Sequence, residues 1–398
     1  MYDLIVVGAG PAGSSAARRA AQQGLNTLLI EKERVPRHKL CGGAITSKVL
    51  TLLDFKLPDT VVERTVNSTR IHVGQDNYPF ETTRTLAILT SRTSFDAFLT
   101  EKALEAGSEV ADANPVLKVE TDPSNVEVTT KNGRYRSKLV IGADGITGPT
   151  ARSTHLHSRW TPPQIAYAIE SEVIVGERAV LDFVGANHYF DLYFGVSPAG
   201  YGWVFPKNDH LTVGIGCRLS KLGDARLLFE TFTKTIPFLK DYKIPYPKAH
   251  LVPLGGAARV PIAGNRVMLA GDSAGFAEPF LGEGIYFAIL SGQIAAKAAT
   301  NACENDKFTA KSLQQYDTEC MHMFGKDLQV AYRLACSSYL QQYNMETIAK
   351  FFLSEKRAQE CMIGLMDGTI RYRDARVELM WPYLKYRLSR WGLRLYNE

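Results

Sequence analysis

The sequence predicts a mixed α/β fold: a helix-wound parallel sheet, interrupted by an antiparallel module and followed by a helical C-terminal region. Three observations predict it. The apolar run Leu4-Ile5-Val6-Val7 leads through Gly8-Ala9-Gly10-Pro11-Ala12-Gly13 and a helical segment to a second run, Thr27-Leu28-Leu29-Ile30, that ends on Glu31. Residues 165–252 break into short aromatic-rich segments separated by turn residues. A late apolar run, Arg266-Val267-Met268-Leu269-Ala270-Gly271-Asp272, then resumes the first pattern and precedes a small-residue helix from about 284 to 300.

Each element follows from local chemistry. Strand, glycine turn, helix, strand and carboxylate, in that order, suit the ADP half of a dinucleotide, so the first module reads as Rossmann-like. Gly8 permits the tight turn, and Gly10 lets backbone approach a pyrophosphate. Gly13 lets the helix over 14–23 pack on the sheet with its N–H groups toward the phosphates. Glu31 is placed to accept hydrogen bonds from ribose hydroxyls. A polar loop over 32–40 and the Cys41-Gly42-Gly43 turn precede a helix over 46–53. Short paired strands are predicted at 70–73 and 78–81. Phe95, Phe98, Leu99, Ala103 and Leu104 predict an amphipathic helix over 93–106. A hairpin, 116–121 with 126–130, leads into the buried strand 139–145. Strands at 166–175, 179–183, 188–195, 202–206 and 211–217 form the antiparallel module, and the chain beyond 312 is mostly helical. The expected domains are a discontinuous nucleotide-binding unit (1–65, 90–155 and 255–305), a substrate unit (66–89 and 156–254) and a helical region (306–398).

Composition narrows the function. With 398 residues, 45% hydrophobic and 22% charged, the chain is an ordinary globular one, and a net charge of +5 gives no reason to invoke nucleic acid. The six cysteines form no C-x-x-C pair and meet no histidine cluster, which argues against zinc or iron–sulfur and predicts no metal site. The chain enters its first strand almost at once, so no cleavable signal peptide fits. The longest apolar stretch, 285–300, contains Ser291, Gly292, Gln293 and Lys297 and is too short to span a bilayer. A cytoplasmic protein with reduced thiols is expected. Residues 381–396 place Leu384, Leu388, Trp391 and Leu395 on one helical face with Lys385, Arg387, Arg390 and Arg394 beside it. That helix either lies peripherally on an anionic membrane or docks on the protein's own core.

The strand ending in Gly271-Asp272 can set one carboxylate against flavin ribityl hydroxyls. The helix beginning at Gly284 can then aim its positive end at the pyrimidine edge of the isoalloxazine ring. Alone, Asp272 also reads as an ordinary helix cap. Arg92, heading Arg92-Thr93-Ser94-Phe95-Asp96, either forks onto phosphate or ribityl oxygens or makes an ion pair. Gly142-Ala143-Asp144-Gly145, with Arg152 beyond it, is either part of the site or a simple turn. Gly42 and Gly43 let backbone lie against a flat ring, or make an ordinary flexible loop.

These segments together resemble the p-hydroxybenzoate-hydroxylase-like flavoprotein superfamily. Cys41-Gly42-Gly43-Ala44-Ile45 and Pro198-Ala199-Gly200-Tyr201-Gly202-Trp203-Val204-Phe205-Pro206-Lys207 resemble the geranylgeranyl reductase family within it, over about residues 1–300. The resemblance implies FAD, bound by Gly8, Gly10, Ala12, Gly13, Glu31 and Lys32, by Cys41, Gly42, Ala44 and Arg92, and by Val116, Asp144, Gly271, Asp272, Gly282, Gly284 and Ile285. It implies an isoprenoid substrate held by Tyr201, Trp203, Phe205 and Pro206, and it places Cys41 beside the flavin.

Saturating an isolated double bond requires a hydride at one carbon and a proton at the other, inside a dry apolar channel. Tyr189, Phe190, Tyr193 and Phe194 could extend the aromatic wall, although such residues also fill sheet cores. Cys41 could donate the proton or position the alkene; a buried cysteine is otherwise a small apolar filler. The expected activity is FAD-dependent reduction of a geranylgeranyl or related chain, with NADPH or ferredoxin as electron donor. A flavin monooxygenase on the same scaffold, or an electron carrier to quinone, is the alternative. A halogenase is disfavoured because a Trp-x-Trp-x-x-Pro-type motif is lacking.

Overall fold

In the strand Tyr2–Val7, Leu4 to Val7 are apolar on both faces because both are covered. Leu4 and Val6 pack under the helices Pro11–Gln22 and Ile285–Glu304. Ile5 and Val7 pack under the antiparallel strands Val116–Thr121 and Val126–Thr130. In this computed structural model, which describes residues 1–157, 159–185, 189–338 and 345–390, that strand is central to a parallel array. It pairs with Thr27–Ile30 on one side and Arg134–Gly142 on the other. Glu109–Ala111 and Val267–Leu269 extend the two flanks. Because the parallel strands run the same way, Gly8, Glu31, Asp144 and Gly271 all emerge at one edge of the sheet.

A second sheet runs in the order 248–253, 165–174, 210–218, 201–206, 189–194, 68–73, 76–81. All its pairings are antiparallel except the joint between Tyr189–Phe194 and Ser68–Val73. Strand alternation divides its residues cleanly. Ile169, Val173, Tyr193, Val204, Val213 and Ile215 face one way, into a cluster closed by Phe229 and Phe232 of the helix Ala225–Lys234. Ala168, Phe190, Leu192, Phe194, Tyr201, Trp203 and Phe205 face the other way and line a cavity. A small third sheet, Ala44–Thr46, Ala87–Leu89 and Arg64–Val66, follows the Cys41 loop.

Two elements differ from expectation. Residues 179–183 are not a strand but part of the helix Glu177–Val184, whose buried Val180, Phe183 and Val184 sit at helical spacing on the second sheet. The helix expected over 46–53 is a single turn, Ser47–Leu50, after a strand that takes Thr46. The C-terminal part is helical, as Ala310–Cys320, Lys326–Ser338, Met345–Ser354, Lys356–Asp367 and Tyr372–Arg390. His188 and residues 391–398, including Trp391, Arg394 and Leu395, lie outside the described residues.

Candidate active site

A continuous cavity of about 500 Å³ lies between the carboxyl edge of the parallel sheet and the inner face of the second sheet. Gly8, Gly10, Ala12, Glu31, Lys32, Cys41, Gly42, Ala44, Arg92, Val116, Asp144, Gly271, Asp272, Gly282, Gly284 and Ile285 line it, together with Tyr201, Trp203 and Phe205. Gly13 and Pro206 do not. A Cβ on Gly13 would sit 1.8 Å from the Gly8 carbonyl oxygen, so Gly13 serves helix–turn packing instead. Pro206 falls on the far face because strand alternation puts it with Val204, opposite Phe205. The same rule divides the neighbouring strand. Phe190 and Phe194 line the cavity, Tyr193 belongs to the opposite cluster, and Tyr189 reaches Glu81.

At one end the walls are polar. The carboxylate of Glu31 is buried and accepts the Ala9 N–H at 2.8 Å and the Glu33 N–H at 3.2 Å. Arg37, which sequence reasoning missed, pairs with Glu31 at 3.3 Å and with Asp96 at 3.1 Å. Arg92 forks onto Asp96, at 2.7 and 2.8 Å, rather than standing free. Burial opposes the Arg92 charge, but the adjoining Asp96 carboxylate outweighs it and holds the guanidinium above its ordinary value. Asp144 is committed to structure: it accepts the Thr150 N–H at 2.8 Å and the Ser273 hydroxyl at 2.9 Å.

Lys39 and His250 touch across the cavity wall. Burial pushes Lys39 down to about 8, and burial together with the Lys39 charge pushes His250 down to about 3, so at neutral pH the imidazole accepts.

Asp272 has the opposite character. It is recessed and raised by burial, with the charges of Lys39 and Arg92 nearby, yet its carboxylate takes no hydrogen bond from any described residue. Two helices open on the same space: Pro11–Gln22 behind Gly10 and Ile285–Glu304 behind Gly284, neither with a side-chain cap. A Cβ on Gly10 would find no atom nearer than 3.8 Å, and one on Gly284 none nearer than 3.7 Å. An unpartnered carboxylate and two uncapped helix starts, each with a glycine, fit an elongated ligand rich in hydroxyls and phosphates.

The other end is apolar. Phe80, Phe190, Leu192, Phe194, Trp203 and Phe205 wall it, and Ile348, Phe352, Met362 and Met366 from the two helices 345–354 and 356–367 close it. Met362 and Met366 fall one turn apart on one face, the sole local signal that could have marked them. The Cys41 loop stands where the two ends meet. Its thiol neighbours Arg92, and a Cβ on the adjoining Gly42 would strike the Phe205 ring at 2.6 Å. The flat surfaces against Gly42 are therefore Phe205 and Trp203. Gly43 has φ of +69° and a Cβ there would lie 1.9 Å from the Thr90 carbonyl oxygen. Tyr201 donates to the Leu281 carbonyl at 3.1 Å, tying the second sheet to the turn between Glu278 and Glu283.

The profile of the family described as "FAD binding domain" matches residues 1–328. Over 402 residues the chain is 30% identical to digeranylgeranylglycerophospholipid reductase 1 of Methanococcoides burtonii, covering 96% of this chain and 94% of the relative. It is 32% identical to digeranylgeranylglycerophospholipid reductase 3 of Methanosphaera stadtmanae, over 79% of this chain and 81% of that one. The chain belongs to the geranylgeranyl reductase family of FAD-dependent oxidoreductases. A crystal structure of a geranylgeranyl bacteriochlorophyll reductase-like protein from Thermoplasma acidophilum superposes with a TM-score of 0.81 at 26% identity, over 96% of this chain and 99% of that one. The fold described above is thus that of a geranylgeranyl reductase-like flavoprotein, and FAD is the ligand its polar end fits.

Proposed function

We propose that this flavoprotein saturates isolated double bonds of a geranylgeranyl or related isoprenoid chain. One observation carries the reading: a single cavity runs from a polar end with two uncapped helix starts to an aromatic and aliphatic end, with the Cys41 loop between them. When bound and reduced, FAD supplies the hydride. The residues suited to hold it are Glu31 for ribose hydroxyls, the helix start behind Gly10 for phosphates and Asp272 for ribityl hydroxyls. The helix start behind Gly284 suits the pyrimidine edge of the ring.

The tunnel residues contribute by exclusion and alignment. An alkene without an adjacent carbonyl cannot spread charge, so water must be kept from the reacting carbons and the bond held flat. Phe194, Trp203 and Phe205 are suited to that task. Cys41 is the residue suited to hold a proton at, or to position, the second carbon. Electrons come from NADPH or a ferredoxin, and whichever reduces the bound flavin is the donor.

No helix among the described residues is long and apolar enough to cross a membrane. Val377, Met380, Trp381 and Leu384 nevertheless form an exposed stripe on the helix Tyr372–Arg390, which supports peripheral membrane association. Co-sedimentation with anionic vesicles, lost on Trp381→Glu, tests that part.

The activity is tested by incubating chemically reduced enzyme without oxygen with geranylgeranyl diphosphate or a digeranylgeranyl glycerophospholipid and weighing the products. Gains of two hydrogens per step support the reductase. Turnover only after oxygen is admitted would indicate a hydroxylase, and rapid quinone reduction without either would indicate an electron carrier.

A further inference from the structure

Glu170 lies on the inner face of the strand Ile165–Ile174, 5% exposed, and does not line the cavity. Its two carboxylate oxygens go to two different segments of the chain. Oε1 accepts the Cys41 main-chain N–H at 3.2 Å, and Oε2 accepts the Trp203 indole N–H at 3.0 Å. Cys41 and Trp203 come from distant parts of the chain, and among the described residues Glu170 is the side chain that hydrogen-bonds both.

We infer that Glu170 is a positioning residue for the reaction, fixing how the Cys41 loop sits against the Trp203 indole in the cavity wall. This rests on the proposed alkene reduction, in which the substrate lies against the wall that these two residues share. Cys41 and Trp203 border the cavity and Glu170 does not, so it acts through them. The surroundings fit an anchor rather than a spare acid. Lys207, buried nearby, grips the next residue's carbonyl, Gly42 O, at 2.8 Å, so the Cys41 loop is held from both sides. Gly214 leaves room for the indole itself, since a Cβ there would lie 2.2 Å from the Trp203 ring. Burial pushes Glu170 up to about 7, against the two hydrogen bonds and the Lys207 charge, with Glu172 the other acid in reach.

The amide of Glu170→Gln has one acceptor oxygen and one donor nitrogen. It keeps the volume but can satisfy only one of two facing N–H groups, and it turns a donor toward the other. In a Trp203→Phe background the indole N–H is gone, and the amide oxygen can serve Cys41 alone. The cycle E170Q, W203F and the double variant therefore separates positioning from bulk.

In the holoenzyme we expect E170Q to keep its FAD and to lower kcat for geranylgeranyl diphosphate reduction by about ten- to a hundredfold, with KM moved much less. In the W203F background the same change is expected to cost no more than about threefold, because only one donor remains to be satisfied. The rate at which iodoacetamide alkylates Cys41, mapped by peptide mass, is expected to change in E170Q and to return toward its starting value in the double variant. Equal losses in both backgrounds, or no effect in either readout, would overturn the inference. If E170Q does not fold, recovery of a folded flavoprotein in the double variant supports it, and an equally unfolded double variant overturns it. Should the parent enzyme reduce no prenyl substrate, the proposed function fails, while the alkylation cycle still decides the role of Glu170 in placing Cys41.

Discussion

Lys207, 1% exposed, donates to the carbonyl oxygens of Gly42 at 2.8 Å and Thr90 at 2.7 Å, so a buried lysine staples the cysteine loop to the end of the neighbouring strand. Burial pushes it down to about 8 from an ordinary 10.5. A lysine whose folded value is depressed contributes stability above the unfolded value and loses it as pH falls through the folded one. Stability is therefore expected to rise between about pH 8 and 10.5, by roughly 3 kcal/mol at most for this group. Lys207→Met should abolish that slope in urea titrations. It should also cost about 1–3 kcal/mol at pH 9, because two carbonyls are left unpaired.

Gly10 and Gly13 are expected to separate cofactor binding from folding. Gly13→Ala puts a methyl 1.8 Å from the Gly8 oxygen, whereas Gly10→Ala meets nothing closer than 3.8 Å and projects into the cavity. Gly13→Ala should lose about 1–3 kcal/mol or fail to fold. Gly10→Ala should melt near the parent apoprotein but bind FAD at least about tenfold more weakly, or about 1.4 kcal/mol. Thermal melts and flavin titration of the apoprotein check both.

Cys41→Ser keeps a small polar side chain beside Arg92. FAD content is expected to stay unchanged while prenyl reduction falls by about two orders of magnitude, the range of a lost proton-transfer group. Dithionite reduction of the flavin should be unaffected. Retained activity in Cys41→Ser would leave the thiol as packing only.

Met366, 8% exposed, closes the apolar end of the cavity from the helix Lys356–Asp367. Met366→Trp shortens that end. The ratio of kcat/KM for a C20 over a C10 prenyl substrate is expected to fall by about tenfold, since a buried methylene is worth about 0.8 kcal/mol and about two must be displaced. Parallel product analysis on the two chain lengths provides the check.

The polar half of the site was legible because it is written locally. Strand, turn, helix and acid follow one another within the first 31 residues, and Gly271-Asp272 repeats the device late in the chain. The aromatic wall was legible as a motif, but which residues face inward depends on the two-residue register, and this put Pro206 and Tyr193 on the wrong side. Glu170 and Arg37 were missed, and Lys207 was read only as the end of a motif, because a charged residue in a strand or loop carries no sign of burial until its partners are known. Glu170 did leave a trace, since it shares the parity of the cavity-lining Ala168. The tunnel's far end comes from helices after residue 345, where no motif marks the lining. Residues 179–183 read as a strand because short apolar-rich stretches fit either period.

The central claim is that one cavity holds FAD and a prenyl chain in reacting contact. A single-turnover experiment tests it most directly: enzyme reduced by one equivalent of dithionite under argon, mixed with excess geranylgeranyl diphosphate or digeranylgeranyl glycerophospholipid, followed by flavin absorbance and product mass. The account expects flavin reoxidation matched one to one by product carrying two added hydrogens. Flavin that stays reduced with both substrates until oxygen enters would contradict it.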